Sequence, residues 1–312
     1  MSNLPTLATL MSRLRLKQLH LLSALADQGS LQKAADRVAL TQPGASKALQ
    51  EMESIIGVPL FERTSRGLVA TEAGHCAIRY ARLIQTDVAH LREDLADVLQ
   101  GQGGRLAVGT IMGAVPLVAD TLTEMLGHAP DLAIEVVEDT SGRLLRLLDH
   151  GKLDAAICRS TVAVQPELYE SLDVYQETLA VVSSREHPLA SRAHLELADL
   201  SDSRWVVYSA GMPMRRLLER EFHEAGLRFP HRLFETTSAF TTLSLLRRQA
   251  DLAALLATDV AKVFVDSGLM HILPIQLKSR SEPYQLVTRR GAVLSPAAQL
   301  FVQTFPAVAG GR

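Results

Sequence analysis

The sequence predicts a multidomain chain, α-helical at its amino end and α/β beyond, and three observations carry that prediction. Residues 30–50 read as two short helices joined by a tight turn. Residues 71–100 read as one unbroken amphipathic helix. From Arg105 onward short apolar segments alternate with helical ones, the pattern of sheets covered by helices.

At 312 residues the chain is long enough for two or three domains, and 47% hydrophobic residues are enough to fill their cores. The formal net charge of −2 excludes a generic nucleic-acid coat. Cys76 and Cys158 are the only cysteines, well separated and without His/Cys clusters. That excludes a disulfide framework and a zinc finger. No secretory signal is read at the amino end, and no run reaches the ~18 apolar residues of a membrane span. A cytoplasmic protein is therefore expected, with residues 1–13 frayed.

The first short helix opens at Ser30, a residue type whose hydroxyl can accept from free N–H groups of a first turn. Leu31, Ala34, Ala35 and Val38 follow at helical spacing. Ala34 and Ala35 are small enough for a second helix to cross closely. After Ala39 and Leu40, Thr41 is a second expected N-cap, and Gln42 and Pro43 fill a first turn where proline costs no hydrogen bond. Ala45, Leu49, Met52, Ile55 and Ile56 form the buried stripe of this second helix. Gln42, Ser46, Lys47 and Gln50 form its other face. Gln can pair with adenine edges in a major groove, Ser can donate or accept there, and a helix amino end favours phosphate. Two helices with the second presenting its amino end is the helix-turn-helix layout.

Residues 57–71 are short and turn-rich. They predict a two-stranded wing over 60–63 and 68–70, with its turn at Ser65, Arg66 and Gly67. Arg63 and Arg66 would rest on phosphates and add affinity without reading sequence. Residues 1–70 hold eight Lys/Arg against five Asp/Glu, a local bias of +3. Ser30 and Lys33 also match S-x-x-K, but its partner motifs S-D-N and K-T-G are absent.

From Thr71 to Gln100 there is no proline. Ala73, Ala77, Tyr80, Ile84, Val88, Leu91, Leu95 and Val98 recur at steps of four and three, the seam of a long helix that packs on another helix. Thirty helical residues span roughly 45 Å, more than a small domain covers, so a second copy of the chain is the expected partner. Gly101, Gly103 and Gly104 end this helix as a hinge.

Beyond it, strands are expected at 106–109, 132–138, 154–158, 178–183, 205–208, 252–256, 272–273 and 286–288. Helices are expected at 116–126, 142–150, 214–225, 239–248 and 259–266. Open α/β sheets bind ligands beyond the carboxyl ends of their strands. The loops there carry Thr110, Met112, Thr140, Ser141, Arg159, Tyr208, Thr237, Ser238 and Thr258. Hydroxyls and helix amino ends could converge on an anion, with Arg159 as the charged partner of a carboxylate, although a surface or inter-lobe ion pair is an equally good use for it. The expected ligand is a small organic anion acting as an effector, with no cofactor and no metal. The ten His residues are scattered, no H-x-x-x-H, G-x-S-x-G or P-loop is present, and no enzyme is expected.

The segments Leu16-Lys17-Gln18-Leu19, Gly29-Ser30-Leu31 with Ala34-Ala35, Thr41-Gln42-Pro43 with Ser46-Lys47, and Gly57-Val58-Pro59-Leu60-Phe61-Glu62-Arg63 leading to Thr71-Glu72-Ala73-Gly74 resemble the LysR-type transcriptional regulators. The departure is Gly44, where that family commonly carries a larger residue. The resemblance implies a winged helix-turn-helix DNA-binding domain over 1–70, a dimerisation helix and hinge over 71–104, and a two-lobed α/β effector domain of periplasmic-binding-protein type over 105–312. Lobe one would be 105–175 with 290–312, and lobe two 176–289. Ser30, Thr41, Gln42, Pro43, Ser46, Lys47, Gln50, Arg63 and Arg66 would meet double-stranded DNA. Thr110 would stand against the effector. Dimers of dimers, hence a homotetramer, and contact with RNA polymerase are further implications. The α/β half alone would also suit a solute-binding protein or a small-molecule enzyme. The amino-terminal reader, the lack of a signal peptide and the lack of an acid–base pair speak against both.

Overall fold

The computed structural model describes residues 4–64, 67–100 and 104–311, with the backbone alone at 93–94 and 96–100. The chain falls into two compact units, residues 1–102 with 149–152, and residues 103–148 with 153–312.

The first unit runs α1 (Leu7–Arg13), α2 (Leu16–Gln28), α3 (Leu31–Arg37), α4 (Gln42–Ile56), β1 (Phe61–Thr64), β2 (Gly67–Ala70) and α5 (Glu72–Gln100). Residues 7–13 are helical rather than frayed, because Thr6 caps the helix by accepting from Thr9 N at 3.3 Å. Leu21, Leu22, Leu25, Ala34, Ala35, Ala45, Met52 and Leu60 make one core. The two alanines of α3 are fully buried, as a close helix crossing demands. Ala39, in the turn between α3 and α4, has φ 53°, the only positive φ at a non-glycine among the described residues. An L residue there is strained. Ala39→Gly is expected to raise the stability of this unit by about 0.5–1 kcal/mol, the strain relief exceeding the extra chain entropy of glycine. Thermal unfolding followed by circular dichroism checks it, and an unchanged or lower midpoint refutes it.

The long helix α5 corrects one expectation. Its apolar positions divide between two faces. Ile78 and Ala81 are buried, and Ala73, Ala77 and Ile84 pack on the same core. Gln85 Nε2 donates to Leu19 O at 3.1 Å and to Ser23 Oγ at 2.8 Å, tying α5 to α2. Tyr80, Val88, Leu91 and Leu95 are exposed. The expected single seam mixes these faces because the first half of α5 is part of its own unit's core. Val98 lies outside the described side chains, and the hinge residues 101–103 lie outside the described residues.

The second unit holds two five-stranded sheets. Its elements are β3 (Arg105–Thr110), α6 (Val115–His128), β4 (Ala133–Glu138), α7 (Ser141–Asp149), β5 (Ala155–Cys158), β6 (Tyr169–Tyr175), β7 (Leu179–Ser183), β8 (Arg204–Val207), α8 (Pro213–Glu224), β9 (Leu233–Glu235), α9 (Ala239–Leu246), β10 (Leu252–Ala257), α10 (Thr258–Asp266), β11 (His271–Ile272), β12 (Tyr284–Arg289) and α11 (Pro296–Gly310). Lobe one has the order β4-β3-β5-β12-β6 and lobe two the order β11-β7-β10-β8-β9. β12 pairs with β5 and β6, so residues 284–289 belong to lobe one and not to lobe two as expected. The chain crosses between sheets twice, after β6 and before β12. Helix α11, unforeseen, opens at Ser295, whose Oγ accepts from Ala298 N at 3.2 Å, and seats Phe301 and Phe305 in lobe one's core.

Candidate functional site

In the first unit the amino end of α4 is exposed. Gln42, Pro43, Lys47 and Gln50 are exposed, and Ser46 is half-buried. Thr41 caps the helix, its Oγ1 accepting from Gly44 N at 3.2 Å. Ser30 stands at the start of α3 in extended backbone but makes no capping bond from its side chain, against expectation. The burial of Ala34 and Ala35 against α2 holds α3 in place without it.

The wing is a two-stranded antiparallel sheet with Glu62 opposite Val69 and Arg63 opposite Leu68. Arg63 is exposed. Arg66, with Ser65, lies outside the described residues. Two contacts unforeseen in the sequence set the wing's position. Glu53 Oε1 on α4 accepts from Leu60 N at 2.7 Å and Phe61 N at 3.2 Å. Leu68 N donates to Gly29 O at 3.1 Å, beside Gly67, where an added Cβ would stand 2.6 Å from that same oxygen. Reading helix and wing are thus tied to one frame, since the carboxylate and the backbone amides it holds lie on different elements.

In the second unit a cleft of about 500 Å³ lies between the two lobes, within the usual range for small-molecule sites. Met112, Thr140, Ser141, Arg159, Tyr208 and Thr237 line it, as expected. Thr110, Ser238 and Thr258 do not. Thr110 is fully buried, and its hydroxyl donates to Ile111 O at 3.0 Å. Ser238 caps α9, accepting from Thr241 N at 3.2 Å. Thr258 N donates to Thr178 O at 2.9 Å, joining the start of α10 to the chain before β7. The starts of α7 and α8 border the cleft through Ser141, Gly142, Pro213 and Met214, and Ile111 to Gly113 border it just before α6.

Arg159, at the end of β5, is buried, and Nη2 forms an ion pair with the equally buried Glu177. Arg159 Nη2 also donates to Ser281 Oγ at 2.7 Å. Ser281 and Tyr284 hydroxyls both donate to Glu177. Gln176 Nε2 donates to Ser281 O at 2.6 Å. The guanidinium lies 5.2 Å from the centre of the Tyr284 ring. Arg159, Glu177 and Ser281 therefore link lobe one to both crossover segments, the inter-lobe ion pair foreseen as the other use of Arg159. Burial, then the Glu177 charge, push the Tyr208 phenol well above its ordinary pKa, so it stays a neutral donor at physiological pH. Its hydroxyl lies 4.0 Å from Met112 Sδ. Gly113 makes the cluster possible: a Cβ there would stand 2.1 Å from the Tyr284 hydroxyl and 2.5 Å from Glu177 Oε1.

The lining carries more acidic than basic side chains. Arg159 is the basic side chain among the described lining residues, and Glu177 already neutralises it. Glu138 and Asp139 add two carboxylates to the wall. Among the described residues no group of His, Cys, Asp and Glu is placed to hold a metal ion.

A helix-turn-helix unit with a two-stranded wing, joined in one chain to a two-lobed cleft, is the architecture of a ligand-responsive transcription regulator. The comparisons with known proteins agree. Residues 16–75 match the model of the bacterial regulatory helix-turn-helix protein, lysR family, and residues 99–309 match the LysR substrate binding domain. The chain is 33% identical over 292 residues to the HTH-type transcriptional regulator GbpR of Azospirillum brasilense, covering 93% of this chain and 85% of that one. It is 30% identical to the HTH-type transcriptional regulator GalR of Pseudomonas putida, covering 90% of this chain and 71% of that one. Its fold is similar to that of ArgP from Mycobacterium tuberculosis (TM-score 0.66, 19% identity, 94% and 97% covered). It is also similar to CbnR, a LysR family transcriptional regulator (TM-score 0.62, 21% identity, 95% and 99% covered). The chain belongs to the LysR family. It is a DNA-binding regulator of transcription that responds to a small molecule. Among the described residues no helix is long and apolar enough to cross a membrane.

Proposed function

We propose that residues 1–70 read duplex DNA, that residues 71–104 pair two chains and hinge them, and that residues 105–312 sense an effector. Gln42, Ser46 and Gln50 would meet base edges. Ser30, Thr41, Pro43 and Lys47, with Arg63 and Arg66 of the wing, would fix the backbone. The observation that carries this reading is the exposed, polar amino end of α4, with Gln42 and Gln50 exposed on the helix. The exposed Tyr80, Val88, Leu91 and Leu95 of α5 support pairing with the same helix of a second copy. Dimers would pair into tetramers and contact RNA polymerase. The effector would sit between the lobes against Met112, Thr140, Ser141, Arg159, Tyr208 and Thr237. By favouring one lobe arrangement it would shift how the effector domains pack, and it can do so only by its differential affinity for the two arrangements. The protein works in the cytoplasm, where its DNA is, and carries out no chemical turnover.

Selection of operators from a random pool tests the reader. Gln42→Ala and Ser46→Ala are each expected to relax base preference at fixed positions by about 1–3 kcal/mol. Arg63→Ala is expected to weaken all sequences alike and lower the salt slope by about one. An unchanged operator preference in both reading-helix variants overturns the assignment.

A further inference from the structure

We infer that the effector of this cleft carries no net negative charge and presents hydrogen-bond donors, hydroxyl or ammonium, to the Glu138 carboxylate. The inference rests on reading the cleft as the effector site and names the class of ligand it takes. Each charge on the wall has a countable partner except one. Arg159 is held by Glu177, and both are buried. Asp139 Oδ1 accepts from Thr140 N at 2.7 Å, and its Oδ2 lies 4.0 Å from Arg143 Nε. It thereby takes up the amino end of α7. Glu138, at the carboxyl end of β4, lines the cleft, and its carboxylate has no hydrogen-bond or ion-pair partner among the described residues.

Magnitudes decide the sign. A helix amino end offers roughly half a positive charge. The amino ends of α6, α7, α8 and α9 at the cleft together offset about two units, which the Asp139 and Glu138 carboxylates already supply. Among the described lining residues nothing remains to compensate a carboxylate or phosphate on the ligand, and transferring an anion into a cleft without a spare cation is costly. Although the Glu138 side chain is solvent-exposed, partial desolvation at the cleft wall raises its pKa, so the site gains from a donor placed against its charged form. The remaining lining accommodates such a ligand. Thr140, Ser141, Thr237 and Tyr208 bring hydroxyls, and Met112 and Met212 bring apolar faces.

The small-molecule fraction of a bacterial extract, split by ion exchange into anionic, neutral and cationic pools, tests this on the full-length protein. The readout is the thermal unfolding midpoint with and without each pool. The neutral or the cationic pool is expected to raise the midpoint by several degrees, as a ligand well above its Kd does, and which of the two acts separates hydroxyl from ammonium donors. Glu138→Gln, an exposed replacement that leaves the fold intact, is expected to cut that shift by at least half. Stabilisation by the anionic pool alone overturns the inference and leaves the effector cleft standing. A full shift in Glu138→Gln overturns the role of that carboxylate and with it the inference. Stabilisation by no pool overturns the effector cleft itself, and the inference falls with it.

Discussion

Glu177→Ala is expected to destabilise the effector unit by about 3–5 kcal/mol, the cost of leaving one buried charge without its partner. Arg159 would keep its position with Nη2 bonded to Ser281 alone among the described residues, where its Nε already has no hydrogen-bond partner. The Ser281 and Tyr284 hydroxyls would lose their carboxylate acceptor at the same time. Both side chains of the pair are less than a tenth exposed, so solvent screening removes little of the effect. Trp205, the chain's single tryptophan, is fully buried in lobe two and reports the transition directly in a urea titration. The double change Arg159→Met with Glu177→Leu is expected to recover most of the loss, since an apolar pair of similar volume carries no desolvation cost. An unchanged urea midpoint in Glu177→Ala would show that the cluster does not hold the crossover segments.

The second large effect is expected at Gly74. Its added Cβ would stand 2.0 Å from the carbonyl oxygen of Leu60, backbone that cannot rotate away. The same carbonyl accepts from Thr71 N at 3.0 Å, and Thr71 Oγ1 donates to Pro59 O at 2.9 Å. Thr71 Oγ1 also accepts from Gly74 N at 2.9 Å. Gly74→Ala must therefore push the first turn of α5 off the base of the wing. A loss of about 3 kcal/mol is expected, the upper end of overpacking costs, and operator affinity should fall with it as Arg63 moves. Gly44→Ala is the control. Its Cβ would meet only the Thr41 hydroxyl, at 3.1 Å, and a side chain can turn aside. Circular dichroism melting and gel mobility shift measure both variants; equal effects at the two glycines would refute the steric account.

Much of the chain was legible because local rules agreed with the fold. Thr41 and Pro43 announced α4, and alternation of apolar segments announced most strands. The misses have physical causes. β6 is an edge strand whose Glu170, Ser171 and Asp173 break the apolar signal. β9 is a three-residue edge strand. α11 carries Pro306 inside it, which reads as an interruption. Thr110 has the right residue type in the right loop, but whether its hydroxyl faces a cleft or turns to Ile111 O is a matter of local backbone path. Glu177 and Glu138 lay in no motif, so nothing in one dimension marked them as the carboxylates that set the cleft's charge.

By itself the sequence determined the helix-turn-helix, its wing strands and the class of regulator, because caps, turn residues and helical spacing act over a few neighbouring positions. Only the tertiary structure decided which of the loop residues meet and what charge they leave between the lobes. Arg159 and Ser281 are 122 positions apart along the chain, and their contact, like the neutralisation of Arg159 by Glu177, follows from two crossovers between sheets that no local pattern encodes.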